Sequence, residues 1–117
     1  MPNVVTVTIP NAKMYMKIKE YDGEYTVDNK VYSINYKPLD KDTVYVKHIW
    51  INHQYQGRGY LKRIFDNLVK EWNCGLVFEC FDELVPMYEH IGCFCTLDNP
   101  PMFGLREMYY DPLNKLF

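Results

Sequence analysis

The stretch Gln54-Tyr55-Gln56-Gly57-Arg58-Gly59 stands between a run that reads as a β-strand and a run that reads as an amphipathic helix. Two glycines separated by one residue let the backbone approach a ligand without interference from Cβ atoms. A helix that starts just after them turns unpaired amides and the positive end of its dipole toward the same point. That combination suits an anion such as phosphate, although a Gly-x-Gly without supporting flanks is also an ordinary strand-to-helix turn.

The flanks supply the context. Upstream, Thr43-Val44-Tyr45-Val46-Lys47-His48-Ile49-Trp50-Ile51 is rich in β-branched and aromatic residues, gathers Val44, Val46, Ile49 and Ile51, and carries no helix punctuation, which predicts a strand. Downstream, Leu61, Ile64, Phe65, Leu68 and Trp72 recur at helical spacing. Lys62, Arg63, Asp66, Asn67 and Lys70 take the other face, and Cys74-Gly75 supplies a stop. A Walker loop would need Gly-Lys followed by Ser or Thr, which does not follow Gly57; the dinucleotide fingerprint would need a third glycine where the chain has Lys62. Nucleotide hydrolysis and nicotinamide chemistry are therefore not indicated.

Before this unit the chain reads as strands joined by turns. Met14 to Lys19 alternates, Asp22-Gly23 turns, Glu24 to Val27 extends, Asp28-Asn29 turns, and Val31 to Tyr36 alternates again. Pro38-Leu39-Asp40-Lys41-Asp42 then leads into the strand ending at Ile51, so the order is that of an antiparallel meander. After the helix, Leu76 to Phe81 predicts a strand, and Phe94 to Leu97 and Leu105 to Tyr110 predict two final strands. The loop between those two ends in an apolar tip, Pro101-Met102-Phe103, a candidate groove cover or dimer contact against the plainer reading of a buried anchor.

Length and composition bound the rest. A chain of 117 residues with 48% hydrophobic content predicts one domain, 1–117, with one core. A net charge of -2 gives no bulk attraction for nucleic acid. No apolar run approaches membrane-spanning length and the start lacks a secretory pattern, so the expectation is a cytoplasmic protein without a membrane partner. Of the four cysteines, Cys74 and Cys80 are six apart and Cys93 and Cys95 form Cys-x-Cys, which is not the spacing of a zinc knuckle. No metal is expected, and thiols among Phe78, Phe81, Ile91 and Phe94 read as small core side chains.

The pattern Gln/Arg-x-x-Gly-x-Gly/Ala between a strand and a helix resembles motif A of the GNAT superfamily of acyl-CoA-dependent N-acyltransferases, and Gln54 to Gly59 matches each fixed position. Tyr88-Glu89-His90-Ile91-Gly92 further resembles the family's Tyr-Glu-x-x-Gly-Phe helix end, with Cys93 inserted before Phe94. The resemblance spans residues 43 to 110. It implies an α+β fold: a mixed, mostly antiparallel sheet with two main helices. GNAT domains usually place two helices between their first and second strands, and this chain has no amphipathic stretch for either, which predicts an open acceptor side suited to a large acceptor.

The resemblance also implies roles. Acetyl-CoA is the expected acyl donor: Ile49 and Ile51 along its pantetheine arm, and Gln56, Gly57, Arg58, Gly59, Tyr60 and Leu61 around its pyrophosphate. Many members carry a small residue where this chain has Leu61, whose place in the helical stripe argues that it faces the core. Tyr88 aligns with the tyrosine that donates to the CoA sulfur, and a phenol with a reference pKa of ~10 stays protonated at neutral pH. Glu79, in an otherwise apolar strand, is the candidate general base, activated if burial raises its pKa. An exposed-face glutamate is the plainer alternative; His48 is a rival base, and Tyr45 a candidate for positioning water.

The expected activity is transfer of acetyl to a primary amine, a protein lysine among the candidates, by direct attack. The protein would act as a monomer or homodimer. The competing expectation is a catalytically silent domain of the same fold that binds a macromolecular partner.

Overall fold

The computed structural model describes the backbone of residues 3–9, 12–21, 23–96 and 104–117, and side chains in those ranges from residue 23 onward. Seven strands form one sheet in sequence order: β1 (Asn3–Ile9), β2 (Ala12–Tyr21), β3 (Glu24–Asp28), β4 (Tyr32–Pro38), β5 (Thr43–Ile51), β6 (Gly75–Phe81) and β7 (Leu105–Tyr110). Every neighbouring pair is antiparallel except β5 and β6, which run parallel. That one parallel pair needs a crossover, and α1 (Tyr60–Trp72) provides it. A shorter helix, α2 (Val85–His90), links β6 toward β7. The α+β expectation holds, and the meander extends one strand further than the alternation at Met14 to Lys19 indicates, because β1 pairs along the whole of Asn3–Ile9.

The helices share one face of the sheet. The Phe78 ring contacts Phe65 of α1 at 5.6 Å and Tyr88 of α2 at 4.7 Å, so both pack over β6. Beneath them Val27, Ile34, Val46, Leu76, Phe78 and Met108 are buried and meet the α1 stripe of Ile64, Phe65, Leu68 and Val69. Full burial of such side chains contributes about 1.5–3 kcal/mol each before entropy is counted. Leu61 and Trp72 pack at the margin of this core, and Val69 joins the stripe. The helix stop differs from the Cys74-Gly75 expectation: Asn73 ends α1 in the left-handed region at φ 51°, while Gly75 opens β6 and leaves room for the Leu116 side chain.

An extra residue in β5 decides which way its side chains point. Asn35 pairs with His48 and Tyr36 with Val46, leaving Lys47 bulged out of the ladder. Without it Val44 and Val46 would face the core and Ile49 and Ile51 would face away, since alternation has period two. With it, Ile49 and Ile51 stand opposite Ile34 and Tyr32 on the helix face. His48 and Trp50 accordingly project to the other face, where both are exposed.

Among the described residues no α-helix precedes α1, and residues 29–31 and 39–42 are the whole of the connections from β3 to β5. Among the described residues nothing covers the face opposite the helices along β5 and the end of β6, with Trp50 57% and Phe81 59% exposed. Further along, Phe94 and Phe117 lie on Tyr109 and cover part of it. The expected strand from Phe94 to Leu97 is a correction: Phe94 makes a single bridge to Tyr109, held by ring packing, and no ladder continues through Thr96. Leu97 and the tip Pro101-Met102-Phe103 lie outside the described residues.

Candidate functional site

The parallel pair of β5 and β6 is joined only at its start. Thr43, Val44, Tyr45 and Val46 pair with Gly75, Leu76, Val77 and Phe78, and beyond Val46 no ladder joins the two strands. β5 continues on β4 to Ile51 while β6 continues on β7 to Phe81, so each outer half is held by a different neighbour. The sheet therefore opens into a wedge, and a cleft of 460 Å³ occupies it. Val46, Ile49, Phe65 and Phe78 give it apolar walls; Glu79, Tyr45 and Tyr88 bring polar groups to it. Size and lining are those of a small-molecule site.

The glycine loop lies where β5 leaves the wedge. His53–Tyr55 forms one 3-10 turn, followed by Gly57 at φ 71° and Gly59 at φ 75°, the latter capping α1. A Cβ at either glycine would meet nothing within 4 Å, so these positions face open space and the backbone conformation alone requires glycine. Among the described residues no side chain caps α1, and no acidic residue occupies its first turn, which leaves its amides and dipole available to an anion. Gln56 is exposed, and its Nε2 donates to the Ile51 carbonyl at 2.8 Å, a bond that ties the loop to the end of β5. Arg58 is exposed beside the cradle; Tyr60 packs edge-on to Tyr55 at 5.6 Å. Leu61 packs against the core, leaving the cradle uncrowded. Ile49 lines the cleft, whereas Ile51 packs against the core and meets the loop through its carbonyl.

The titratable groups divide between the two faces of the split sheet. Tyr88 stands on the helix face, half-buried against Phe78; burial above all, then the neighbouring Cys80 and Cys93 thiols, raises its pKa. It stays a proton donor throughout the neutral range. Glu79 stands on the opposite face and is exposed, so the burial that would activate it as a base is not what the structure provides. Its Oε1 accepts a hydrogen bond from the Tyr45 hydroxyl at 3.1 Å. His48 projects from β5 on that same open face, at the cleft margin. The local sequence hides this pairing, since Tyr45 and Glu79 are 34 residues apart and meet only because β5 and β6 are parallel.

Cys74, Cys80 and Cys93 are buried thiols and Cys95 is half-buried. Burial pushes Cys74 up to about 11 and Cys93 up to about 12. Cys93, the residue inserted in the helix-end motif, takes the core position after Gly92 and turns Phe94 over to Tyr109. Among the described residues no group of three or more potential metal ligands converges. No described helix is long and apolar enough to cross a membrane.

No family model matches the chain, and no curated protein does. Solved structures do resemble it. Tetrahymena Gcn5 superposes with a TM-score of 0.56 at 12% identity, over 77% of this chain and 69% of that one. A Bacillus subtilis acetyltransferase in complex with CoA gives a TM-score of 0.54 at 11% identity, over 84% and 78%. Ard1 from Thermoplasma volcanium gives 0.50 at 13% identity, over 75% and 69%. At such identities the likeness speaks to architecture: the chain has the GNAT fold.

Proposed function

We propose that the protein is an acyl-CoA-dependent N-acyltransferase that moves acetyl from acetyl-CoA to a primary amine by direct attack. The observation that carries this reading is the loss of β5–β6 pairing after Val46 and Phe78, which opens an apolar wedge beside an uncapped helix N-terminus. Residues at both ends of the wedge fit an acyl-CoA. The open space at Gly57 and Gly59, with the α1 amides behind them, suits a pyrophosphate. Val46, Ile49 and Phe78 suit the methylene groups of the thin pantetheine arm, and the β5 and β6 backbone left unpaired with each other past Val46 and Phe78 suits its amides. A Bacillus subtilis acetyltransferase of the same fold, solved in complex with CoA, supports the assignment.

Bound acetyl-CoA supplies the thioester. The chain's own groups then handle protons on opposite sides of the split sheet. Glu79 takes an N–H proton on the open face as the carbon–nitrogen bond forms, and Tyr88 gives its hydroxyl proton to the departing sulfur on the helix face as the carbon–sulfur bond breaks. Exposure of His48, Trp50, Glu79 and Phe81 leaves the amine's approach unwalled, which suits a bulky acceptor, including a lysine on a protein surface.

Calorimetric titration with acetyl-CoA, desulfo-CoA and ATP tests the reading. Micromolar binding of both CoA ligands, about -8 kcal/mol, and none of ATP is expected. Failure of both CoA ligands to bind would reduce the glycine loop to a turn and favour a silent binding domain.

A further inference from the structure

Resting on the acyltransferase reading, we infer that Tyr45 is a positioning residue that holds the Glu79 carboxylate at the cleft, aimed to receive the proton of the attacking amine. Tyr45 occupies the second-last rung of the β5–β6 ladder, opposite Val77. Past that point β6 leaves with β7, and an unrestrained glutamate two residues further on would leave with it. The Tyr45 hydroxyl spans the vertex of the wedge and takes hold of Glu79 Oε1 at 3.1 Å. Both side chains line the cleft.

The other side of Glu79 pushes in the same direction. Glu107 stands directly opposite it on β7, and like charges at facing positions of an antiparallel pair repel. Tyr109 holds Glu107 to its own strand, donating from its hydroxyl to Oε2 at 2.8 Å. The Tyr45 hydrogen bond sets the Glu79 carboxylate over the wedge. Tyr45 engages Oε1, and Oε2 has no protein partner among the described residues, which leaves one oxygen for the amine. Burial first, then the Glu79 charge, raises the Tyr45 phenol, so it remains a donor to the carboxylate.

A tyrosine that acts through Glu79 has no work to do once Glu79 cannot accept a proton. The test is a double-mutant cycle of Tyr45→Phe and Glu79→Gln, with turnover read as CoA thiol release using poly-L-lysine and spermidine as acceptors. Acetyl-CoA affinity and the urea midpoint are measured on all four proteins. Tyr45→Phe is expected to lower kcat about tenfold in the wild-type background, with acetyl-CoA affinity and fold unchanged, and to change nothing in the Glu79→Gln background. Equal losses in both backgrounds, or no loss in either, would overturn the positioning role while leaving the acyltransferase reading intact. A wild-type protein that neither binds acetyl-CoA nor releases CoA would take both down together.

Discussion

Tyr88 is the residue on which the chemistry can be tested most sharply. Its ring fills space against Phe78, and its hydroxyl is the only part that a change to phenylalanine removes. Tyr88→Phe should therefore lower kcat about a hundredfold while acetyl-CoA affinity stays nearly the same, a split read from steady-state kinetics beside calorimetry. Unchanged kcat would remove Tyr88 from the mechanism. The position was legible because helix end, glycine and tyrosine lie within a few residues of one another, so the motif is local. Glu79 was legible only in part. The strand and its apolar neighbours can be read from Leu76 to Phe81, but its exposure follows from the uncovered face and its Tyr45 partner from a parallel pairing, and neither leaves a mark nearby in the chain.

Among the elements, α1 links fold and site most directly. Phe65 is fully buried and meets both Phe78 and Tyr110, at 5.6 and 5.5 Å, while also forming part of the cleft wall. Phe65→Ala should cost about 3–5 kcal/mol, the range for deleting a buried aromatic ring, and show as a large drop in the urea midpoint. It should also weaken acetyl-CoA binding, because the wedge loses a wall. A small stability loss would mean that α1 is not seated on Phe78 as described. The stripe that seats it is legible from helical spacing; Val69 joins it because the buried arc is wider than Leu61, Ile64, Phe65, Leu68 and Trp72 alone. The bulge at Lys47 had a signal too: apolar positions are even-numbered through Val46 and odd-numbered from Ile49, a break in period that one extra residue explains. The wedge itself had none, since pairing between distant strands is a tertiary property. At Phe94, β-formers at alternate positions, Phe94 and Thr96, suggest a strand, and ring packing on Tyr109 and Phe117 gives a single bridge in its place.

At the scale of the whole molecule, burial of so many phenols and thiols in one core makes stability depend on alkaline pH. Burial is the leading cause in each case: Cys74 is pushed up to about 11, and Cys93, Tyr36 and Tyr110 to about 12. The same groups in the unfolded chain ionise near 9.0 for thiols and 10.0 for phenols. As pH climbs through that window the unfolded state sheds protons that the folded state retains, and since stability rises with pH only where the unfolded state holds more protons, it must fall here. The contribution is full below about pH 9 and is lost progressively up to about pH 12, so the urea midpoint should be level from about pH 7 to 8.5 and decline above it. Cys93→Ala should start lower and decline less steeply; a midpoint level to about pH 11 would contradict the burial of these groups. The same measurement disentangles the activity profile. Tyr88 is likewise raised above its ordinary value, by burial first and then by Cys80 and Cys93, so loss of turnover at high pH has two sources. Only a loss that sets in at pH values where the midpoint still exceeds the assay conditions, and that is absent from the residual activity of Tyr88→Phe, belongs to the phenol that protonates the sulfur.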